Sequence, residues 1–166
     1  MISIRPARLD DVPLLKTLIY EFAEFEREGH LVEITEEDLR RDGFGERPKF
    51  RSLIVEWDAL PAGYALFFPV YSTWEGRSAL FLEDLYVRSE FRGKGIGKAV
   101  LAHLAMIARA EGCFGMKWEV LEWNQPAIEF YHSVGAVLNA DRRVLLFKDE
   151  AFERMAEDRA PRAERA

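Results

Sequence analysis

The stretch Arg92-Gly93-Lys94-Gly95-Ile96-Gly97 stands between an apolar run, Ala79 to Val87, and a segment with helical periodicity, Lys98 to Glu111. Glycines at alternate positions allow positive φ angles and a close approach of the backbone to a ligand. The first turn of a helix presents N–H groups without helical acceptors, at the positive end of the helix dipole. The stretch therefore predicts an anion site made of backbone N–H groups, of the kind that holds phosphate.

Two common phosphate loops do not fit this spacing. A Walker loop requires Gly-x-x-x-x-Gly-Lys-[Ser/Thr], but Arg92 stands at the first glycine position and Ala99 at the last. A dinucleotide-binding fingerprint requires Gly-x-Gly-x-x-Gly early in a βαβ unit, whereas these glycines alternate past the middle of the chain. A simple helix cap stays open as the alternative, although one cap needs only one glycine.

Outward from this loop, turn residues and apolar periodicity predict one α+β domain with a mixed, mostly antiparallel sheet flanked by helices. Apolar residues at helical spacing predict a first helix ending near Gly29, and Thr35 predicts the cap of a second. Turns are expected around residues 61–63 and 74–76. The predicted strands cover residues 2–5, 50–56, 63–68, 79–87, 116–120, 136–138 and 144–147.

Composition excludes several classes of protein. The 166 residues, 49% hydrophobic and 31% charged, predict one folded domain over residues 1–156 and a loose tail over 157–166. The single cysteine, Cys113, excludes an intrachain disulfide, and no metal site is predicted. The net charge of −6 argues against binding to nucleic acid. No run is apolar enough for a membrane span and no leader pattern begins the chain, so we expect a cytoplasmic protein without a membrane partner.

Acidic residues are concentrated between Glu21 and Glu46, where ten carboxylates stand against three arginines. Two interpretations of this segment stay open. The carboxylates are either solvated helix faces, or an acidic wall that attracts a cationic substrate.

Motifs along most of the chain resemble one family. The loop matches Arg-x-x-Gly-x-Gly, Phe81-Leu82-Glu83-Asp84-Leu85-Tyr86-Val87 precedes it, and Trp123-Asn124-Gln125-Pro126-Ala127-Ile128-Glu129-Phe130-Tyr131 and Gly135-Ala136 follow it. These motifs resemble the GNAT superfamily of N-acetyltransferases. With Glu37-Asp38-Leu39 and Asp42-Gly43-Phe44-Gly45-Glu46, the chain is similar to the spermidine/spermine and thialysine acetyltransferase branch as far as about Glu153.

This resemblance implies the GNAT fold, acetyl-CoA as the acetyl donor, a small cationic amine as the acceptor, and a homodimer. It implies that Leu85 and Val87 offer backbone groups to the pantetheine arm of acetyl-CoA. Asn124 would reach the same arm, although the cap of a helix running through Ser133 explains this asparagine equally well. The pyrophosphate would be held by Arg92, Gly93, Lys94, Gly95, Ile96, Gly97 and Lys98.

The resemblance also implies the two catalytic groups. Tyr131 would be the general acid for the departing thiolate, and it lies seven residues after Asn124 on the same helical face. Glu83 would accept the proton of the ammonium group, directly or through a water, because an amine must be neutral to attack. Apolar neighbours would raise the pKa of Glu83. An exposed glutamate in a cross-strand ion pair is the alternative.

Charge and aromatic residues would recognise the acceptor. The resemblance implies that Glu26, Asp84 and Trp74 contact the cationic amine through charge pairing and cation–π contact. In a regular strand Glu83 and Asp84 point to opposite faces. Both line one site only if a bulge breaks the alternation, so a bulge is predicted here.

One position departs from the polyamine branch. Val144-Leu145 stands where such enzymes carry Trp-Arg, which leaves a shorter diamine, a lysine-like amino acid or another small amine as acceptor. A peptide acetyltransferase and a non-catalytic acyl-CoA sensor are the alternatives to a small-amine acetyltransferase. Residues 144–147, with Phe152 and Met155, are expected to supply an apolar dimer interface.

Overall fold

A computed structural model describes residues 1–139, 141 and 143–157. The chain divides into two compact units, Met1–Gln125 and Pro126–Ala166. Most of α4 (Gln125–Ser133) and all of α5 (Asp149–Glu157) lie in the second unit. The first unit contains β1 (Ile2–Pro6), α1 (Val12–Phe25), α2 (Glu36–Phe44), β2 (Arg51–Trp57), β3 (Leu60–Ser72), β4 (Arg77–Val87), α3 (Ile96–Ala110) and β5 (Met116–Trp118).

The first unit is built on a five-stranded sheet in the order β1-β2-β3-β4-β5. The first four strands are antiparallel neighbours, and β5 pairs with β4 in parallel after the crossover through α3. A parallel neighbour requires such a crossover, whereas antiparallel neighbours need only a turn. The predicted α+β class and mixed, mostly antiparallel sheet are confirmed.

Helices cover the sheet as their apolar stripes predict. On one side, α1 and α2 bury Leu15, Leu18 and Leu39 against Ile54 and the neighbouring β3 residues. Thr35 begins α2 with the predicted capping box, in which its hydroxyl accepts from the Asp38 amide and the Asp38 carboxylate accepts from the Thr35 amide. Helix α3 contacts β4 and β1 and buries its own apolar stripe. Both faces of the sheet therefore contribute to the core.

The β2–β3 turn lies earlier in the chain than the sequence predicts. Residues 61–63 belong to β3, and the chain reverses at Asp58 and Ala59, with φ angles of 47° and 64°. Trp57 pairs with Leu60, so this is a two-residue hairpin of the type that requires two positive φ angles. Asp58-Ala59 lacks the glycine that is usual in such a turn, so the sequence favours Pro61-Ala62-Gly63 instead. The turn around 74–76 is confirmed.

Two predicted strands are wrong. Residues 136–138 and 144–147 form no strand, and β5 ends at Trp118. The sequence did not predict α5, which follows residues 144–147. Leu145 is 94% exposed. Apolar composition favours a strand, but a strand forms only where a neighbouring strand is available to pair with it. The composition of residues 144–147 does not reveal whether such a neighbour exists.

The proposed domain limits stay a prediction. Glu157 is the last residue of α5, and the remainder of the predicted tail, residues 158–166, lies outside the described residues. Within the part of the chain that the structure describes, no helix combines the length and the apolar character needed to cross a membrane.

The β2–β3 hairpin provides a test of the corrected turn. Ala59→Gly should raise the free energy of unfolding by about 0.5–1 kcal/mol, because alanine in the left-handed region is strained and glycine is not. Thermal or urea unfolding measures this change. The matched control is Ala102→Gly on the exposed face of α3, which should lower stability by about 0.5–1 kcal/mol. Destabilisation by both variants would contradict the turn at Asp58-Ala59.

Candidate functional site

A β-bulge interrupts β4 at the residues predicted to carry chemistry. Leu66 pairs with Asp84 but the next β3 residue, Phe67, pairs with Leu82, so Glu83 is an extra residue in β4. The predicted bulge is confirmed. Because side chains alternate along a strand, the extra residue shifts the pattern by one and changes which face each neighbour serves.

The bulge brings Asp84 to the sheet face that α1 and α2 cover. There the Tyr64 hydroxyl donates a hydrogen bond to Asp84 Oδ2 at 2.9 Å. Burial raises the pKa of Asp84 to about 6, opposed by the Tyr64 hydrogen bond and assisted by the charges of Glu83 and Glu26. This carboxyl group therefore carries its charge at neutral pH in surroundings that disfavour it.

Glu83 follows the last parallel pair of β4 and β5. That pair is Leu82 with Trp118, so Glu83 and Glu119 emerge together where the two strands stop pairing. Burial, followed by the negative charge of Glu119, raises the pKa of Glu83. Glu83 is exposed, as its alternative role predicted, but it forms no ion pair in the part of the chain that the structure describes.

Glu26 directly follows α1 and is half-buried. Burial raises its pKa, with a further contribution from the charge of Glu28, and the Glu26 charge in turn acts on Asp84. We call Glu26, Glu83 and Asp84 the carboxylate cluster. No set of His, Cys, Asp and Glu side chains within the described ranges is suited to hold a metal ion.

Four of the ten carboxylates of the acidic front segment have cationic partners among the described residues. Arg88 forms two hydrogen bonds with the Glu21 carboxylate, at 2.7 and 2.8 Å. Further ion pairs join Glu36 to Arg40, Asp38 to Arg41, and Asp42 to Arg41 and Lys49. These carboxylates match the interpretation as solvated helix faces, and Glu26 is the member of the segment that joins the cluster.

The glycine loop has the geometry of an anion site. Gly93 and Gly95 have φ angles of 74° and 78°, which side chains rarely adopt, and Gly95 caps α3. The first helical hydrogen bond runs from the Ala99 amide to the Gly95 carbonyl, so the amides of the preceding turn have no acceptor within the helix. Ile96 is buried and fixes the start of the helix in the core, while Lys98 is exposed.

Two cationic side chains of the loop contact other elements of the first unit. Arg92 Nε donates to the Val87 carbonyl at 2.9 Å, and its guanidinium lies 4.4 Å from the Phe25 ring centroid. Lys94 Nζ lies 5.2 Å from the ring centroid of Trp57. Arg92 therefore joins the loop to β4 and to the end of α1.

The last residues of β4 extend past the end of β5, so one backbone edge there has no β5 residue opposite it. The Arg88 amide donates to the Ala62 carbonyl of β3. Because peptide groups alternate in direction along a strand, Leu85 and Val87 direct theirs away from β3. On that side β5 has already ended, opposite Leu82.

The other predicted residues lie in three places. Asn124 directly precedes α4 and is 9% exposed, and its backbone N–H donates to the Leu121 carbonyl. Tyr131 lies within α4, in the second unit, with its ring 5.3 Å from that of Phe130. Trp74 is 88% exposed in the β3–β4 turn. From this turn to Glu83 the strand runs for roughly 20 Å, so Trp74 does not join the carboxylate cluster of its own chain.

Sequence reasoning missed Tyr64, Glu119 and Phe25. A tyrosine inside an apolar strand signals a buried hydroxyl that requires a partner, but the sequence does not name that partner. Glu119 directly follows the short strand β5, but its position beside Glu83 depends on the parallel register with β4, which the sequence does not specify. Phe25 carried no signal beyond the apolar stripe of α1.

The raised pKa of Asp84 predicts a stability effect. Since the folded state holds this proton more tightly than the unfolded state, stability falls as pH rises from about 4 to about 6. Asp84→Asn removes the charge and retains an acceptor for Tyr64, so it should stabilise the protein by about 1–2 kcal/mol near pH 7.5 and have little effect near pH 4. Urea unfolding at both pH values measures this.

The control for Asp84→Asn is Asp141→Asn, which changes an exposed aspartate and should have little effect at either pH. A loss of stability on Asp84→Asn at neutral pH would contradict the interpretation of Asp84 as a destabilised carboxylate.

Comparison with known proteins identifies the family. Residues 15–136 match the model of the acetyltransferase (GNAT) family. The thialysine N-epsilon-acetyltransferase of Mus musculus is 42% identical over 80% of this chain and 82% of its own length. A spermidine/spermine N(1)-acetyltransferase-like protein of Homo sapiens is 39% identical over 81% of this chain but only 20% of its own length.

Solved structures share the fold. An integron cassette protein from the mobile metagenome of V. cholerae superposes with a TM-score of 0.76 at 24% identity, over 94% of this chain and 98% of its own. An aminoglycoside acetyltransferase from an uncultured soil metagenomic sample gives 0.72 at 17% identity, over 89% and 95%. The chain therefore belongs to the GNAT acetyltransferase family, and it is an acetyltransferase with the single-domain GNAT fold.

Proposed function

We propose that this protein transfers the acetyl group of acetyl-CoA to the primary amine of a small cationic acceptor, such as thialysine, a lysine-like amino acid or a diamine. The observation that carries this proposal is the carboxylate cluster at the β4 bulge, beside the unpaired edge of β4. The names of the thialysine acetyltransferases that resemble the chain support the same class of acceptor.

Acetyl-CoA would bind along the loop and the β4 edge. The backbone amides at the start of α3 suit a pyrophosphate, since Gly93 and Gly95 open the loop and the helix dipole favours an anion. The peptide groups of Leu85 and the N–H of Val87 suit the amides of the pantetheine arm, which would extend the sheet as another strand, while the Val87 carbonyl already accepts from Arg92. We also propose that Asn124 contacts this arm.

The ammonium group of the acceptor would bind to the carboxylate cluster. The charges of Glu26 and Glu83 disfavour the ionised form of Asp84, and a cation beside these carboxylates relieves that repulsion. Binding should therefore lower the pKa values of these carboxyl groups and favour ligands with an ammonium group. Trp74, which the resemblance alone proposes as a cation–π contact, would have to come from the second copy of a dimer, since within one chain it lies roughly 20 Å along β4 from Glu83.

Glu83 would act as the general base. Its raised pKa brings it closer to that of an amine than an ordinary glutamate, which assists transfer of the ammonium proton to Glu83 directly or through a water. The neutral amine then attacks the thioester carbonyl in a ternary complex. The C–N bond forms, the C–S bond breaks, and the nitrogen loses a second proton.

Tyr131 would act as the general acid. It would donate its proton to the departing thiolate of CoA and recover one of the protons released by the nitrogen, so the overall reaction releases one proton to water. This role rests on the Asn-x-x-Ala-x-x-x-Tyr spacing and on the family resemblance.

A homodimer and a cytoplasmic location complete the proposal. Exposed apolar residues in the second unit supply a surface that a second copy could cover: Val144, Leu145, Leu146, Phe147, Phe152 and Met155. Analytical ultracentrifugation should give twice the 19.2 kDa chain mass. A monomer mass that is independent of concentration would contradict the dimer.

The release of CoA thiol from acetyl-CoA tests the reaction. The acceptors would be thialysine, lysine, putrescine, spermidine, spermine and a basic peptide, with acetyl-CoA binding measured separately by calorimetry. We expect turnover with thialysine or another small amine. Turnover with the peptide alone would contradict the small-amine proposal, and acetyl-CoA binding without turnover on any acceptor would contradict the reaction.

Substitution of the two proposed catalytic groups tests the mechanism. Glu83→Gln should lower kcat about 10²-fold near pH 7, with partial recovery near pH 9.5, where more of the amine is already neutral. Tyr131→Phe should lower kcat by a similar factor and leave acetyl-CoA affinity largely unchanged.

Matched controls for these variants are available on the β3–β4 hairpin. Glu75→Gln and Tyr71→Phe make the same chemical changes at exposed positions and should retain wild-type rates. Unchanged turnover in both Glu83→Gln and Tyr131→Phe would show that other groups transfer the protons.

A further inference from the structure

Tyr64 is a core residue with a polar contact that the proposed chemistry does not use. Its side chain is fully buried, with 0% exposure, among the apolar residues of α1, α2 and β2. Its hydroxyl donates to Asp84 Oδ2 at 2.9 Å. A phenylalanine would fill the same space without having to satisfy a buried hydroxyl, so the hydroxyl has a role other than packing.

The register explains why this contact exists. Tyr64 pairs with Tyr86, and Asp84 pairs with Leu66, so Tyr64 and Asp84 are diagonal neighbours on one sheet face. Diagonal neighbours lie within reach of a long aromatic side chain. If β4 continued from Leu82 without a bulge, Asp84 would lie on the same face as Leu82, away from Tyr64.

The electrostatic surroundings of Asp84 give the hydrogen bond its importance. The charged groups that face Asp84 are Glu83 on its own strand and Glu26 after α1, and both are negative. No lysine, arginine or histidine among the described residues forms an ion pair with it. The hydrogen bond from the Tyr64 O–H stabilises the anion against burial and two like charges.

Tyr64 can only donate in this position. Burial and the adjacent negative charge raise the pKa of Tyr64 well above its usual value, so its hydroxyl keeps its proton throughout the working pH range. The donor leaves the second carboxylate oxygen, Oδ1, for another partner. It also restricts the rotation of the Asp84 side chain.

We propose that Tyr64 is a positioning residue that keeps Asp84 ionised and oriented to receive the ammonium group of the acceptor. This inference rests on the proposed function for the acceptor, but the state of the Asp84 carboxyl group can be measured without any acceptor. Two readouts therefore separate a failure of this inference from a failure of the proposed function.

The first readout is the titration of Asp84 in the full-length protein, followed by carbon-13 NMR of labelled aspartate side chains. Tyr64→Phe removes one donor from the carboxylate, so the titration midpoint should move to higher pH by about one unit. The matched control is Tyr86→Phe, which deletes the hydroxyl of the paired tyrosine, 6.5 Å away between ring centroids. It should leave the Asp84 midpoint in place.

A measurement on the unmodified chain covers the case in which Tyr64→Phe fails to fold. The ring carbon that carries the Tyr64 hydroxyl should change its chemical shift with the same midpoint as Asp84, because its hydrogen-bond acceptor gains a proton there. A Tyr64 resonance that does not respond to the Asp84 titration would overturn the proposal, as would a folded Tyr64→Phe variant with an unshifted midpoint.

The second readout is the pH dependence of acetylation with the best small amine. Tyr64→Phe should lower kcat/KM about threefold near pH 6.5, mainly through KM, and by less than twofold near pH 9, where Asp84 is ionised in both proteins. In an Asp84→Asn background, Tyr64→Phe should cause no further change in pH dependence. A purely structural role of Tyr64 would lower the rate equally at every pH and in both backgrounds, and would overturn the proposal.

The two readouts separate the possible failures. If the wild-type protein acetylates no amine but Tyr64→Phe still shifts the Asp84 midpoint, the proposed function fails and the control of Asp84 by Tyr64 is supported. If amines are acetylated but the midpoint and the pH profile are both unchanged in Tyr64→Phe, the proposed function stands and the positioning role is overturned.

Discussion

The extra residue in β4 is the constraint on which the rest of the site depends. A regular strand would place Glu83 and Asp84 on opposite faces of the sheet, with Asp84 away from α1 and Tyr64. The bulge shifts the alternation by one residue, so that Leu66 pairs with Asp84 while Phe67 still pairs with Leu82. The strand on one side of the bulge can therefore build the core, while the other side supplies the carboxylates.

The same bulge lies where β4 loses its neighbour β5. Up to Leu82, β4 has neighbours on both sides; beyond it, β5 has ended and the backbone edge at Leu85 and Val87 has no strand beside it within the described residues. The glycine loop follows directly, and Arg92 returns to the Val87 carbonyl and to the ring of Phe25. Glu83 and Asp84, the strand edge and the glycine loop are adjacent because they are consecutive parts of one chain segment, and the end of α1 adds Glu26 from elsewhere in the sequence.

The carboxylate cluster differs from the paired carboxylates of the acidic front segment in its electrostatic surroundings. Burial raises the pKa values of Glu26, Glu83 and Asp84, and in each case the charge of a neighbouring carboxylate contributes further, which means that their ionised forms reduce the stability of the unliganded fold. Elsewhere in the acidic front segment, Glu21 and Asp42 have arginine partners and are stabilised. The sequence shows only that acids are abundant there, since the difference between a paired and an unpaired carboxylate depends on distant residues such as Arg88.

The sequence by itself determined the elements and chemistry that depend on near neighbours: the helix caps, the glycine loop, the strand that carries Glu83 and Asp84, and the bulge required for both to serve one site. Those features follow from local propensity and strand alternation, which act over a few residues. Only the tertiary structure decided what depends on pairing at a distance. It moved a hairpin turn to Asp58-Ala59, left residues 144–147 without a strand partner, and gave Asp84 its partner Tyr64. Register and burial arise when separate segments meet, and no single segment specifies them.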